Sequence, residues 1–246
     1  MKTDGLQSSA WKRSTAILAV FTGGTPVLPR RLGRMFPAAF GLLLVLFSAS
    51  CGSVPKTHYY TLHIPGPPAR NDPKTPFVLG VEHFRAAERL RDDRIVYYES
   101  PTEMNFYENH RWGADPASML SELALEWIQR TGAFTDVRML PIREPVDYIL
   151  RGRVLNFEEV DYEGEGKGRV NVELSMVRTR DHKVVWSFQR LAETPVEEKG
   201  MAGVARALND ASDQLFRDAL PGLITQAEQD YQAIRGQTPE AENKHL

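Results

Sequence analysis

The sequence has a single cysteine, Cys51, among its 246 residues, so no disulfide can form within the chain. Its six histidines are isolated, and none belongs to a His-Glu-x-x-His motif or another familiar metal-ligand spacing. It also lacks a Gly-x-x-x-x-Gly-Lys-Ser/Thr phosphate loop and a Gly-x-Ser-x-Gly nucleophile elbow. We therefore expect no metal, no cofactor and no enzymatic activity. A hydrolase site assembled from scattered residues stays open as an alternative.

Positive charge is scarce outside the N-terminal region. Six of the 30 Lys and Arg residues and one of the 32 acids lie within the first 50 positions, which leaves 24 basic against 31 acidic residues, a charge of −7. Phosphate backbones are bound by clustered positive charge. We therefore expect no nucleic-acid partner.

No apolar run is long enough to cross a bilayer. The longest run, Phe36 to Ala49, has 14 residues including Pro37, whereas a spanning helix needs about 20. Arg30, Arg31 and Arg34 precede this run, and small residues follow it. A basic segment, a short apolar segment and small residues in that order are typical of a secretory signal peptide.

The small residues Ser48-Ala49-Ser50-Cys51 resemble the lipobox of bacterial lipoproteins. The resemblance implies that Cys51 is acylated and becomes the first residue of the mature chain. Ser48 stands where leucine is usual, and Gly52 resembles the outer-membrane sorting case. The alternative is a buried free cysteine, a small hydrophobe that is common in protein cores.

These features divide the chain into four predicted parts. Residues 1–50 are an N-terminal extension and lipoprotein signal peptide, and residues 51–76 are a lipidated N-terminus with a Pro-rich tether. Residues 77–227 form the folded domain, and residues 228–246 form a polar, frayed tail. From Cys51 onward, 196 residues are enough for one domain with a hydrophobic core.

Apolar periodicity predicts the first elements of the domain. Phe77–Val81 and Arg94–Tyr98 are short branched runs typical of buried strands. Asp115-Pro116 predicts a helix start and Gly132 a helix end. One face of this helix is apolar and comprises Met119, Leu120, Leu123, Ala124, Trp127 and Ile128.

The second half predicts three sequential strands and a helix. A strand from Tyr148 to Phe157 precedes an alternating strand around Val170 to Met176, and Val184–Phe188 follows. An amphipathic helix begins near Met201, and Pro221-Gly222 should break or kink it. The predicted fold is α+β, a largely antiparallel sheet with two amphipathic helices on one face.

Two motifs at the end of the strand from Tyr148 to Phe157 and after it could suggest chemistry. Gly164-x-Gly166-x-Gly168 lies between two strands, so we interpret it as a hairpin turn and not as a phosphate loop at a helix N-terminus. Several neighbouring carboxylates could form an acid/base pair or a calcium site; these are Glu158, Glu159, Asp161, Glu163 and Glu165. Strand alternation separates neighbours, so we expect a solvated hairpin arm.

Aromatic residues leave a further choice between core and interface. For the segment Asn109–Pro116 we expect Trp112 to fill the core and Arg111 to pair with a nearby acid; the alternative is that both face a partner protein. In Tyr59-Tyr60 and in Tyr97-Tyr98 we expect one ring inside and one outside.

With these residues laid out, the chain resembles the PqiC/YmbA-like ABC-type transport auxiliary lipoproteins. The matching motifs, in order, are Tyr59-Tyr60-Thr61-Leu62, Leu79-Gly80-Val81, Arg94-Ile95-Val96-Tyr97, Asn109-x-Arg111-Trp112 before Asp115-Pro116, and Val146-Asp147-Tyr148-x-Leu150-x-Gly152. Together with Cys51 they span nearly all of the mature chain.

The resemblance implies a non-enzymatic, periplasm-facing outer-membrane lipoprotein. Its expected partners are an MCE-domain protein with the associated ABC permease and ATPase, and the membrane through the lipid anchor. Homo-oligomerisation is possible. The expected task is to help lipids or other hydrophobic molecules cross the envelope; a periplasmic lipid-binding carrier or chaperone is the alternative.

Overall fold

The computed structural model describes residues 55–70, 73–162 and 164–237. Within these ranges nine strands form one sheet, and two α-helices pack on it. The strands are β1 (His58–Tyr60), β2 (Val78–Val81), β3 (Arg85–Ala86), β4 (Arg94–Ser100), β5 (Glu103–Trp112), β6 (Asp136–Met139), β7 (Tyr148–Val160), β8 (Lys167–Arg178) and β9 (Lys183–Pro195). The helices are α1 (Pro116–Thr131) and α2 (Met201–Gln237), with a short 3-10 helix at Glu88–Leu90. The predicted α+β class with two helices is confirmed.

Strand β7 organises the sheet. Along one edge it pairs antiparallel with β8 over its full length, and β8 pairs antiparallel with β9. Along its other edge it pairs in parallel with β2, then β3, then β4. β2 continues in parallel to β6, while β4 continues antiparallel to β5 and then β5 in parallel to β1. The long pairings are antiparallel as predicted, and the short parallel pairings make the sheet mixed.

Both helices cover the same face of this sheet. In β8 the residues Val170, Val172, Leu174 and Met176 are buried and alternate with half-buried polar residues. Trp127 of α1 lies 5.9 Å from Phe216 of α2, measured between ring centroids. The apolar stripes of the two helices therefore meet above one continuous core.

The ends of α1 agree with the sequence prediction. The Asp115 carboxylate accepts a hydrogen bond from the backbone N–H of Ser118 at 3.0 Å, and Pro116 occupies the first turn. Gly132 ends the helix with a φ of 61°, in the left-handed region that favours glycine. All six residues of the predicted apolar face are buried.

Helix α2 is longer than predicted and passes through Pro221 without ending. The prediction of a break or kink was wrong about the break because the buried stripe continues past the proline, through Leu223 and Ala227, while Pro221 itself is exposed. Packing of this stripe outweighs the cost of about 3 kcal/mol that an interior proline imposes. Residues 228–237 of the predicted frayed tail are also helical.

Candidate functional site

Cys51, the predicted lipidation site, lies outside the described residues, as do the predicted signal segment 1–50 and residues 238–246. Its acylation therefore stays a prediction. The description begins at Pro55, and β1 begins at His58. In sequence, six residues, 52–57, separate the cysteine from the sheet.

The Pro-rich segment that follows β1 lies along helix α1. Ile64 is buried, and its carbonyl accepts a hydrogen bond from the indole N–H of Trp127 at 3.5 Å. The backbone N–H of Arg70 donates to the carbonyl of Arg130 at 2.9 Å. Thr75 is also buried, and its hydroxyl donates to the carbonyl of Ala133 at 2.7 Å. These contacts tie the described part of residues 61–76 to the domain.

Aromatic and histidine side chains collect where β1 joins the sheet. The Tyr60 hydroxyl lies 3.0 Å from Nδ1 of His110, and the rings of His58 and His110 stack with centroids 5.5 Å apart. Tyr59 is 68% exposed while Tyr60 is half-buried, which confirms the predicted alternation for this pair. In the other pair both rings are half-buried, but only Tyr98 packs against the core and Tyr97 does not, so the predicted alternation holds there as well.

The predicted solvated acidic arm is partly buried. Glu158 is 1% exposed and Glu159 is 7% exposed, because β7 continues to Val160 between β4 and β8. Asp161 and Glu165 are exposed as expected, and Glu163 lies outside the described residues. The expectation of a solvated arm was therefore wrong for the first two acids.

The two buried acids point to opposite faces, as strand alternation requires. The Glu158 carboxylate accepts a hydrogen bond from the Asn156 amide at 2.8 Å and lies 3.4 Å from the guanidinium of Arg89 and 3.8 Å from that of Arg169. Glu159 accepts a hydrogen bond from the Tyr107 hydroxyl at 2.5 Å. Each acid has its own polar partners, so the two do not form an acid/base pair.

Glu159 makes the stability of the protein depend on pH. Burial raises the pKa of its carboxyl above the ordinary value of 4.5, and the hydrogen bond from Tyr107 opposes the rise only in part. The folded protein thus keeps a proton that the unfolded chain loses, so the stability from this group is full below pH 4.5 and declines as the pH rises through the folded pKa. We expect Glu159→Gln to make this decline shallower, measured by urea unfolding at a series of pH values.

Glu108→Gln is the control for this measurement, because Glu108 is an exposed acid on strand β5, next to Tyr107 in sequence. It should leave the slope of stability against pH unchanged. An identical slope for the unaltered protein and Glu159→Gln would show that Glu159 is not responsible for it.

Trp112 and Arg111 have the structural roles that were expected. Trp112 is 1% exposed, and its ring packs edge-on against Phe157 with centroids 5.1 Å apart. The Arg111 guanidinium lies 3.3 Å from the Asp93 carboxylate. The prediction that the tryptophan fills the core and the arginine pairs with an acid is confirmed.

The described ranges contain no group of three or more His, Cys, Asp or Glu residues arranged to hold a metal ion. Among the helices within those ranges, none combines the length and apolarity needed to span a bilayer. On the sheet face opposite the helices, polar side chains of β7, β8 and β9 line a groove of about 600 Å3. This groove was missed from the sequence, although the alternation of Arg151 and Arg153 is a local signal for it.

Two helices on one face of a mixed sheet, with a polar groove on the other face, define an α+β domain. Residues 60–219 match the family described as ABC-type transport auxiliary lipoprotein component, and the chain belongs to this family. The family is that of a transport auxiliary lipoprotein, which confirms the resemblance inferred from the motifs.

Solved structures share the fold. Protein XCC0632 from Xanthomonas campestris, of the DUF330 family, is similar with a TM-score of 0.63 and 21% identity, over 71% of this chain and 99% of that one. An uncharacterized protein is similar with a TM-score of 0.54 and 15% identity, over 69% of this chain and 99% of that one. No curated protein matches the chain.

Proposed function

We propose that the protein is the outer-membrane-anchored, periplasm-facing lipoprotein subunit of an MCE-type ABC transport system that moves lipids or other hydrophobic molecules. Its role there is non-enzymatic: it docks an MCE-domain protein, and ATP hydrolysis belongs to another subunit. The observation that carries this proposal is the family match over residues 60–219, which begins nine positions after the lone Cys51.

The short link between cysteine and sheet suits an anchored docking domain. Six residues, 52–57, extend over at most about 20 Å. With acyl chains on Cys51, this length limits how far the start of β1 can lie from the bilayer surface. Two or more acyl chains hold a protein at a membrane far more durably than one, so such an anchor keeps the domain where a partner can find it. Homo-oligomerisation would present several copies of the docking domain to the same partner.

The alternative of a lipid carrier is less well supported by the geometry. A carrier needs a concave apolar cavity for acyl chains. The groove of about 600 Å3 in the described part is lined instead by three arginines and two glutamates among other residues. Leu174 and Phe188 are its two large apolar lining residues, so the groove suits a polar group better than a long hydrocarbon chain.

Co-purification of the full chain tests the proposed function. The tagged protein, extracted from membranes in a mild detergent, should bring with it an MCE-domain protein and the ABC permease and ATPase, identified by mass spectrometry. A second tagged envelope lipoprotein serves as the control for detergent carry-over. Stoichiometric lipid without a protein partner would favour the carrier, and substrate turnover by the purified chain alone would favour a hydrolase.

A further inference from the structure

The groove on the open sheet face is built from two rows of side chains that cross neighbouring strands. Side chains at paired positions point to the same face of a sheet. Arg153 of β7 is paired with Glu173 of β8, and Glu173 is paired with Gln189 of β9. All three line the groove, and Leu174 and Phe188, at the alternate positions of β8 and β9, also contribute to its lining.

The first row carries an unbalanced positive charge. Arg85 of β3 and Arg153 of β7 occupy directly paired positions, and like charges at such positions are destabilising. The Arg153 guanidinium lies 3.8 Å from the Glu173 carboxylate. The Arg85 guanidinium makes no hydrogen bond or ion pair within residues 55–70, 73–162 and 164–237. A bound anion between the two guanidinium groups would relieve this repulsion.

The second row of side chains adds one more guanidinium group and two serine hydroxyls. Arg151 lies two positions before Arg153 and on the same face, and its Nε donates to the Glu82 carboxylate at 3.1 Å. Ser175 and Ser187 are paired across from it. Neither of their hydroxyls has a hydrogen-bond partner within the described ranges of the chain. Three guanidinium groups and two free hydroxyls thus face one cavity.

We propose that this groove binds a phosphodiester group, such as the headgroup of a phospholipid. Guanidinium groups form paired hydrogen bonds with phosphate oxygens, and serine hydroxyls supply further donors. Three arginines against two glutamates leave a charge of +1 on the lining, which complements the single negative charge of a phosphodiester. The volume of about 600 Å3 lies in the range of small-ligand sites. The lipid source rests on the proposed function, whereas the phosphate chemistry rests on the groove alone.

Calorimetric titration of the full, detergent-extracted chain tests this site. The probes are glycerophosphoglycerol, which is a deacylated lipid headgroup, and inorganic phosphate in a separate titration. We expect saturable binding of glycerophosphoglycerol that Arg85→Ser weakens about ten-fold or more, as for loss of a charge-assisted hydrogen bond. Arg85 is the cleanest residue to replace because its removal leaves no glutamate without an ionic partner.

Arg91→Ser is the matched control, since Arg91 is 65% exposed and ion-paired with Glu88 but lies outside the groove. It should leave the affinity unchanged. Equal weakening by both variants, or no saturable binding of either probe, overturns the site. Binding of inorganic phosphate without glycerophosphoglycerol supports the phosphate contact and overturns the headgroup source.

The two proposals fail separately. A failed titration leaves the co-purification of an MCE-domain protein unchanged, and a failed co-purification leaves the titration unchanged. Thermal unfolding of both variants checks that the domain is intact; substitutions of exposed arginines should alter the free energy of unfolding by no more than about 0.5 kcal/mol.

Discussion

We expect replacement of Cys51 by alanine to move the protein from the membrane fraction to the soluble periplasmic fraction. Each buried methylene of an acyl chain contributes about 0.8 kcal/mol to membrane binding, so with Cys51 acylated as proposed, loss of its sulfur would remove the dominant attachment. The remaining chain from Cys51 onward has a charge of −7, which does not favour an anionic bilayer. Fractionation of cells expressing each form, followed by immunoblotting, measures the shift.

An uncleaved signal segment could itself hold the Cys51→Ala variant at the membrane, so a second variant isolates the effect of the lipid. In it, a cleavable secretory signal replaces residues 1–51 and delivers residues 52–246 without an acyl chain. This form should be periplasmic and soluble. Membrane association of this form as strong as that of the unaltered protein, or an unacylated N-terminus upstream of Cys51 in mass spectra, would contradict the anchor.

Trp127→Ala has the largest expected effect on stability, a loss of about 3–5 kcal/mol in the free energy of unfolding. Trp127 is 1% exposed and joins three parts of the domain. Its ring lies 5.9 Å from Phe216 of α2, its indole N–H donates to Ile64, and the Arg217 guanidinium lies 5.5 Å from the ring centroid. Truncation leaves a cavity where these parts meet. Urea unfolding followed by circular dichroism measures the loss.

Two further variants calibrate this result. Trp127→Phe retains most of the buried ring and should cost less than the alanine variant. Tyr59→Ala, at a site that is 68% exposed, should change the free energy of unfolding by no more than about 0.5 kcal/mol. A loss below about 1 kcal/mol for Trp127→Ala would show that the region around α1 does not depend on this ring.

Local patterns predicted α1 and the long hairpins well. The Asp115 cap, the Gly132 end and the alternation in β8 are each encoded within a few residues. Four strands were not predicted as such: β1, β3, β5 and β6. β1, β3 and β6 have two to four residues each, too few to show a period of two, and β5 carries polar residues on most positions.

The candidate sites also differ in whether neighbouring residues or distant contacts define them. Cys51 was predicted as a lipidation site from residues adjacent in the chain, because a processing signal is recognised as a linear segment. The groove proposed to bind a phosphodiester could not be predicted in this way, since Arg85 and Arg153 are 68 positions apart and lie side by side only because β3 pairs with β7. The burial of Glu158 and Glu159 likewise depends on pairing with β4, a strand that is distant from them in the sequence.

The sequence by itself determined the α+β class, the family and the predicted anchor position, because periodicity, helix caps and short motifs act over neighbouring residues. Only the tertiary structure decided which strands flank β7, that α2 continues past Pro221, and that three arginines share one groove. These outcomes depend on contacts between distant segments, whose packing free energy outweighs local preference.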